Sequence, residues 1–238
     1  MSLVEKAPLM MQPSKSQYDF DKIADNYDSW YDSAIGAMYD KLEKQTIDKL
    51  LADIAGHGRL LEIGCGTGHW SWYFSDKGFE VTGVDMSEKM IDVARQKNMP
   101  NSHFEVADGR NLPFEDAGFD AAAAITVLEF SPEPERIIAE MIRCVRKKNG
   151  VLIIAVLNAL NAYNQTKQNT QGSVYASANL FSPQQIYKML SEHGNTQLLT
   201  TGFIPEKDWL IKISSIGERL GQFIRPRRGA FIAARVDL

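Results

Sequence analysis

Cysteine is nearly missing: Cys65 and Cys144 are the only two in 238 residues. Two thiols so far apart draw no disulfide framework, and the expected home is a reducing cytoplasm. Neither has a partner at metal-ligand spacing and the four histidines are scattered, so no metal site is expected. Long apolar runs are also lacking. The longest aliphatic stretch, Val151 to Leu157, has seven residues, against roughly 18 for a membrane span. Nor does the chain open on a basic-then-apolar signal pattern; residues 1–17 read as a flexible leader. Excess positive charge is absent too. Twenty-six Lys and Arg against thirty Asp and Glu leave a net charge of −4, so no general hold on nucleic acid is expected. The one basic cluster, Arg225, Arg227 and Arg228 around Pro226, reads as a solvated loop rather than a phosphate patch. Nothing in the sequence decides the oligomeric state.

What is present centres on Leu60-Leu61-Glu62-Ile63-Gly64-Cys65-Gly66-Thr67-Gly68-His69-Trp70. An apolar run ending at Ile63 breaks into alternating glycines, and a helix starts near Trp70. Glycines there allow a tight strand-to-helix turn and bring a ligand close to the backbone. From this point strands and helices alternate. Strands are expected at 59–63, 80–84, 102–106, 119–126 and 151–157, with helices near 70–77, 88–97 and 133–145. Ser87 is a candidate N-cap. Two later strands, 197–202 and 230–236, and helices from Ser182-Pro183 to His193 and over 208–223 complete the pattern. Such alternation predicts an α/β fold with a parallel sheet covered on both faces. Ahead of it, 18–30 has helical spacing and 37–55 reads as a helix closed by Gly56 and Gly58. Tyr27, Trp30 and Tyr31 read equally as helix packing or as an aromatic lid. The polar segment 158–180 has no clear period and reads as a functional cap. The division expected is one domain over 18–238, with a lid at 18–36 and a cap insertion at 158–181.

The glycine turn is short of a dinucleotide fingerprint, because His69 stands where the third glycine of Gly-x-Gly-x-x-Gly belongs. No Walker-type Gly-Lys-Ser/Thr occurs, and a Tyr-x-x-x-Lys pair occurs only as Tyr18 and Lys22, before the sheet. Asp85, 21 residues after Gly64, ends the second strand, where a carboxylate can accept both ribose hydroxyls of a nucleoside. Met86 follows it. Asp108 and Gly109 end the third strand, placed for an exocyclic amine and a ring edge, with Leu112-Pro113-Phe114 as an apolar wall. These features describe an adenosine site without a phosphate cradle.

With these residues in view the sequence resembles the class I S-adenosylmethionine-dependent methyltransferases, particularly the small-molecule group of ubiquinone/menaquinone type. The matching stretches are LLEIGCGTG, VTGVDMSEKM, ADGRNLPF and FDAAAAITVLEF, with YDSWYD and Leu180-Phe181-Ser182-Pro183 outside them. The resemblance implies a three-layer Rossmann-like fold with a seven-stranded, mostly parallel sheet. It gives Gly64, Cys65 and Gly66 to the methionine part of S-adenosylmethionine, with Glu62 steadying the turn. Asp85 takes the ribose, Met86 flanks the adenine, and Asp108 with Gly109 reads the adenine edge. Thr126 lies near the methionine end, and Tyr18, Tyr27 and Trp30 cover the site. The product would be S-adenosylhomocysteine.

The sulfonium already activates the methyl group, so the protein's main task is alignment. Glu129, His69 and Tyr163 are the candidates for a general base, and none is assigned. Glu129 reads equally as a solvated loop carboxylate, and His69 as a helix-start residue. Asn-Pro-Pro-Tyr and Pro-Cys sequences are absent, as is a thiol set for arsenite chemistry, which leaves a small or medium organic acceptor. Two other readings stay open: an NAD(P)-dependent oxidoreductase, and a non-catalytic protein binding the same cofactor.

Overall fold

The computed structural model describes residues 18–52, 54, 58–203, 218 and 226–238. Seven strands form one sheet: β1 Arg59–Ile63, β2 Glu80–Asp85, β3 Ser102–Val106, β4 Ala121–Ile125, β5 Val151–Leu157, β6 Asn195–Thr201 and β7 Phe231–Asp237. Their order is β3-β2-β1-β4-β5-β7-β6. The first five pair in parallel, while β7 runs antiparallel to both β5 and β6. The seven α-helices among the described residues are α1 Ser29–Asp32, α2 Ala34–Leu51, α3 His69–Asp76, α4 Glu88–Gln96, α5 Pro134–Cys144, α6 Ala162–Gln168 and α7 Pro183–Leu190.

The period of two along each strand sorts its side chains into two cores. In β5, Leu152, Ile154 and Val156 pack with Ile138 and Met141 of α5 and Ile186 and Leu190 of α7. Val151, Ile153 and Ala155 pack on the other face with Ile47 and Leu50 of α2 and Trp70 and Phe74 of α3. That double burial is why VLIIAVL is apolar in both phases. The alanines of β4, all buried, let helices on both faces approach the sheet centre.

Caps account for several boundaries. Ser87 Oγ accepts from the Met90 N–H at 3.1 Å, and Ser182 forms a capping box with Gln185. Three expectations change. Residues 18–30 do not form one helix; they make short 3₁₀ turns at Phe20–Lys22 and Ala24–Asn26 before the four-residue α1. Aspartates at 19, 21, 25 and 28 favour turns over a helix interior. The next helix starts earlier than 37 and ends at Leu51, before the glycines. Ser33 caps it, accepting from Gly36 N–H at 3.0 Å. Gly36 is there for close approach, since a Cβ would lie 1.9 Å from the Trp30 carbonyl oxygen. The polar insertion is partly ordered as α6 and a 3₁₀ turn at Val174–Ser177, with Asn161 capping α6. The leader at 1–17, Gly56 and Arg225 lie outside the described residues, as does the helix expected over 208–223 apart from Glu218.

Candidate active site

Strand order reverses direction between β1 and β4, and in an open α/β sheet that crevice at the carboxyl ends is where ligands bind. The cleft found there encloses about 780 Å³, mouth included. Gly64 and Gly66 line it from the β1 turn, Asp85 and Met86 from the end of β2, Asp108 and Gly109 from the end of β3, and Thr126 from the end of β4. Tyr27 closes it from the N-terminal segment.

The glycine turn is shaped by packing on one side and open space on the other. Gly64, Gly66 and Gly68 all have positive φ, at 67°, 53° and 82°. A Cβ on Gly64 would come within 2.3 Å of Val127 Cγ2, whereas one on Gly66 would meet nothing within 4 Å. Gly66 therefore presents bare backbone to the cleft. Its N–H donates to Asp85 Oδ2 at 3.0 Å, and Asp85 Oδ1 accepts from Ser87 N–H at 2.8 Å. Burial raises the Asp85 carboxyl, and these N–H donors oppose that rise. Thr126 is another positive-φ residue, at 53°, and its N–H donates to the Ala155 carbonyl at 2.8 Å. A β-branched residue held there is a backbone outlier of the kind found at functional sites.

Beneath the turn, Glu62 is 2 % exposed and accepts a 2.5 Å hydrogen bond from Ser71 Oγ of α3. Burial, with the Asp85 charge adding to it, pushes the Glu62 carboxyl up to about 8. Asp108 is held by a residue the sequence reading missed. Arg110 Nε and Nη2 donate to its two oxygens at 2.9 and 2.6 Å, and the Arg110 N–H donates to Oδ1 at 2.9 Å. Burial favours the neutral form of Asp108, but the Arg110 donors win and hold the carboxyl below its ordinary range. The sequence signal was there, an arginine two residues after the aspartate, but only the turn shows that the fork folds back.

Not every expected residue reaches the cleft. Cys65 points away from it, packing with Ile91, Ala94, Met99 and Phe104. Trp30 lines a separate, smaller cavity, and Tyr18 stacks edge-on against Phe20 with centroids 5.0 Å apart. Phe20 itself lines the cleft and meets Phe130 edge-on at 5.2 Å. Neither phenylalanine was singled out for the site, because apolar residues in an amphipathic stretch and at a strand end look like core.

The N-terminal segment is fastened over the turn. Asp28 accepts from Thr67 Oγ1 at 2.6 Å and pairs with Lys97 at 2.6 Å, and Ser87 Oγ donates to Asp21. His69 stacks on Tyr31 with centroids 3.6 Å apart and bonds Asp40 at 2.7 Å. It fastens α3 to the N-terminal segment. Glu129 is not a solvated loop carboxylate: it is 0 % exposed, with Oε1 accepting from Leu157 N–H at 3.0 Å. Position in a loop was a poor guide, because the turn at Leu128–Phe130 folds inward over the end of β5.

A parallel-sheet crevice with a glycine turn, two acidic strand ends and no phosphate cradle defines a nucleoside-cofactor enzyme of Rossmann-like class. A family model described as a methyltransferase domain matches residues 61–154. An uncharacterised protein of Methanocaldococcus jannaschii is 34 % identical over 186 residues, covering 76 % of this chain and 83 % of that protein. A phosphatidylethanolamine N-methyltransferase of Cereibacter sphaeroides is 33 % identical over 143 residues, covering 57 % of this chain and 68 % of that enzyme. Among solved structures, a Thermotoga maritima S-adenosylmethionine-dependent methyltransferase superposes with a TM-score of 0.70. It is 22 % identical, with 92 % of this chain and 97 % of that one covered, and supports the fold. The chain belongs to the class I S-adenosylmethionine-dependent methyltransferase family. Its cofactor is S-adenosylmethionine and its product S-adenosylhomocysteine; the oxidoreductase alternative is set aside. Among the described residues no helix is long and apolar enough to cross a membrane, and no group of three metal-ligating side chains comes together.

Proposed function

We propose that the cleft over β1, β2 and β4 aligns S-adenosylmethionine against a small organic acceptor, enclosed by residues 18–36 and the insertion 158–181. The observation that carries this is the unobstructed space at Gly66, flanked by the Asp85 carboxylate and by Thr126. When bound, the cofactor supplies a methyl group already activated by its sulfonium. Gly64 and Gly66 offer backbone to the methionine part, and Asp85 accepts from the ribose hydroxyls. Met86 lies along the adenine, while Asp108, kept ionised by Arg110, and Gly109 address its edge. Cys65 contributes backbone only, and Glu62 acts from below by fixing the turn to α3. The aromatic faces of Tyr27, Phe20 and Phe130 exclude water and suit a cationic sulfur.

A relative named for N-methylation of phosphatidylethanolamine supports an organic rather than a macromolecular acceptor. His69, engaged by Asp40 and stacked on Tyr31, is not placed as a base. Calorimetry with S-adenosylhomocysteine tests the reading. Asp85→Ala should weaken binding by about 1–3 kcal/mol, the range for hydrogen bonds to a charged group. Unchanged affinity in that variant, or thermal stabilisation of the wild type by NAD(H) instead, would refute it.

A further inference from the structure

The loop after β3, which carries the cleft residues Asp108 and Gly109, is pinned to α5 by two arginines. Arg143, in the last turn of α5, donates to the carbonyls of Phe114 and Leu112 at 2.7 and 3.1 Å. Glu140 accepts from the Leu112 N–H at 2.7 Å and steadies Arg143 from the same helix. These contacts hold the outer part of the loop. Arg110 works further in: its side chain is 7 % exposed, lines the cleft, and sends Nη1 to Glu133 Oε2 at 3.0 Å, at the start of α5.

The Arg110 fork uses most of what Asp108 can accept. An ionised carboxylate offers about four lone-pair positions, two on each oxygen. Oδ1 accepts from the Arg110 N–H and from its Nε, both at 2.9 Å. Oδ2 accepts from Nη2 at 2.6 Å, and Nε leans toward it at 3.2 Å. Nε has a single hydrogen, already shared with Oδ1, so among the described residues Oδ2 keeps one open position. The Asp108 side chain is 22 % exposed, on the wall of the cleft. Burial works against its charge, yet the Arg110 donors outweigh it and keep the carboxyl ionised. One acceptor position with no proton beside it reads one N–H.

We propose that Arg110 is the positioning residue that sets the base specificity of the cofactor site, holding Asp108 so that its open Oδ2 position takes an N–H of a 6-amino purine and turns away a 6-oxo purine. The inference rests on the placement of the adenine edge at Asp108 in the reading above. A 6-oxo group there sets lone pair against lone pair, and the ionised Asp108 has no hydrogen to offer it. The carboxylate does not turn aside either, because a two-point fork fixes its plane and the Arg110 N–H fixes Oδ1. Glu133 backs the guanidinium from α5, so a line of contacts runs from the purine edge to the helix. A lysine in place of Arg110 supplies a point charge and no such plane.

The test is calorimetry with S-adenosylhomocysteine and with S-inosylhomocysteine, its 6-oxo analogue. The wild type should prefer the adenine form by at least about 100-fold, a floor for a site built around a hydrogen bond that the analogue does not make. Arg110→Met releases Asp108 to rotate or take up a proton, and should lower that ratio at least about tenfold. Arg110→Lys keeps the charge without the fork and should lower it at least about threefold, which carries the test if Arg110→Met does not fold. Asp108→Asn presents an amide that can donate or accept, and should bring the two ligands close to parity. A merely structural arginine would weaken both ligands in the same proportion. An unchanged ratio in the Arg110 variants therefore overturns the proposal, as does equal binding of the two ligands by the wild type. Failure of the wild type to bind S-adenosylhomocysteine overturns the reading of the cleft instead.

Discussion

Replacing Glu62 by glutamine isolates the electrostatic cost of steadying the glycine turn from below. Glu62 is 2 % exposed, and its carboxyl is pushed from 4.5 to about 8 by burial, with the Asp85 charge adding to it. Below about pH 4.5 the group is protonated in both folded and unfolded chains. Above that the unfolded chain releases the proton, whereas the folded chain keeps it until about pH 8. The folded state thus binds more protons within this window, and stability falls as pH rises through it. At about 1.4 kcal/mol per pH unit the whole shift amounts to about 5 kcal/mol, an upper bound. Of this, about 3–4 kcal/mol falls between pH 5 and pH 8. Glutamine has the same shape, keeps an acceptor for Ser71 Oγ and does not titrate. Urea unfolding of both proteins across that range should show the variant gaining on the wild type by about that amount as pH rises. Glu43 and Glu129 titrate in both proteins and cancel from the difference. A difference that stays constant within about 1 kcal/mol across the range would refute the argument.

The two central glycines should respond differently to alanine. Gly64→Ala drives a Cβ to 2.3 Å from Val127 and should cost several-fold more unfolding free energy than Gly66→Ala, whose Cβ meets nothing within 4 Å. Gly66→Ala should cost about 1–2 kcal/mol for its left-handed backbone, yet lose most of its S-adenosylhomocysteine affinity by filling the cofactor space. Melting curves and calorimetry separate the two. In the insertion, Asn164 Nδ2 donates to the carbonyls of Asn158 and Ala230 at 3.0 and 2.7 Å, tying α6 to the start of β7. Asn164→Ala removes one donor from each carbonyl, leaving the Asn161 N–H on Asn158 and the Asn158 N–H on Ala230, and should destabilise by about 1–2 kcal/mol, measured by urea unfolding. A loss below about 0.5 kcal/mol would mean that the insertion is held elsewhere.

The sequence by itself determined the sheet core and the cofactor edge, because both are written in local chemistry. VLIIAVL, apolar in both phases, admits little but a strand covered on both faces. The alternation of Gly64, Gly66 and Gly68 marks a turn that needs left-handed backbone, and Asp85 and Asp108 end strands that must stop at the same sheet edge. Strand ends, caps at Ser87 and Ser182, and the cofactor class follow from such short-range rules. Contacts between distant segments do not. Gly36 is a close-approach site for the Trp30 carbonyl, which nothing in its own stretch marks. Cys65 sits among cleft residues in sequence and points the opposite way, since neighbouring side chains in a tight turn diverge. Arg110 folding back on Asp108, His69 engaged by Asp40, and the left-handed Thr126 each depend on where another element lies. The same holds most strongly for Glu43 and Glu129. They lie 86 positions apart, each an ordinary glutamate in its own stretch, and only the packing of α2 and the Leu128–Phe130 turn puts Glu43 in the wall of an aromatic cavity and buries Glu129 against the Leu157 N–H. Burial is a property of the assembled volume, and no local stretch of sequence states it.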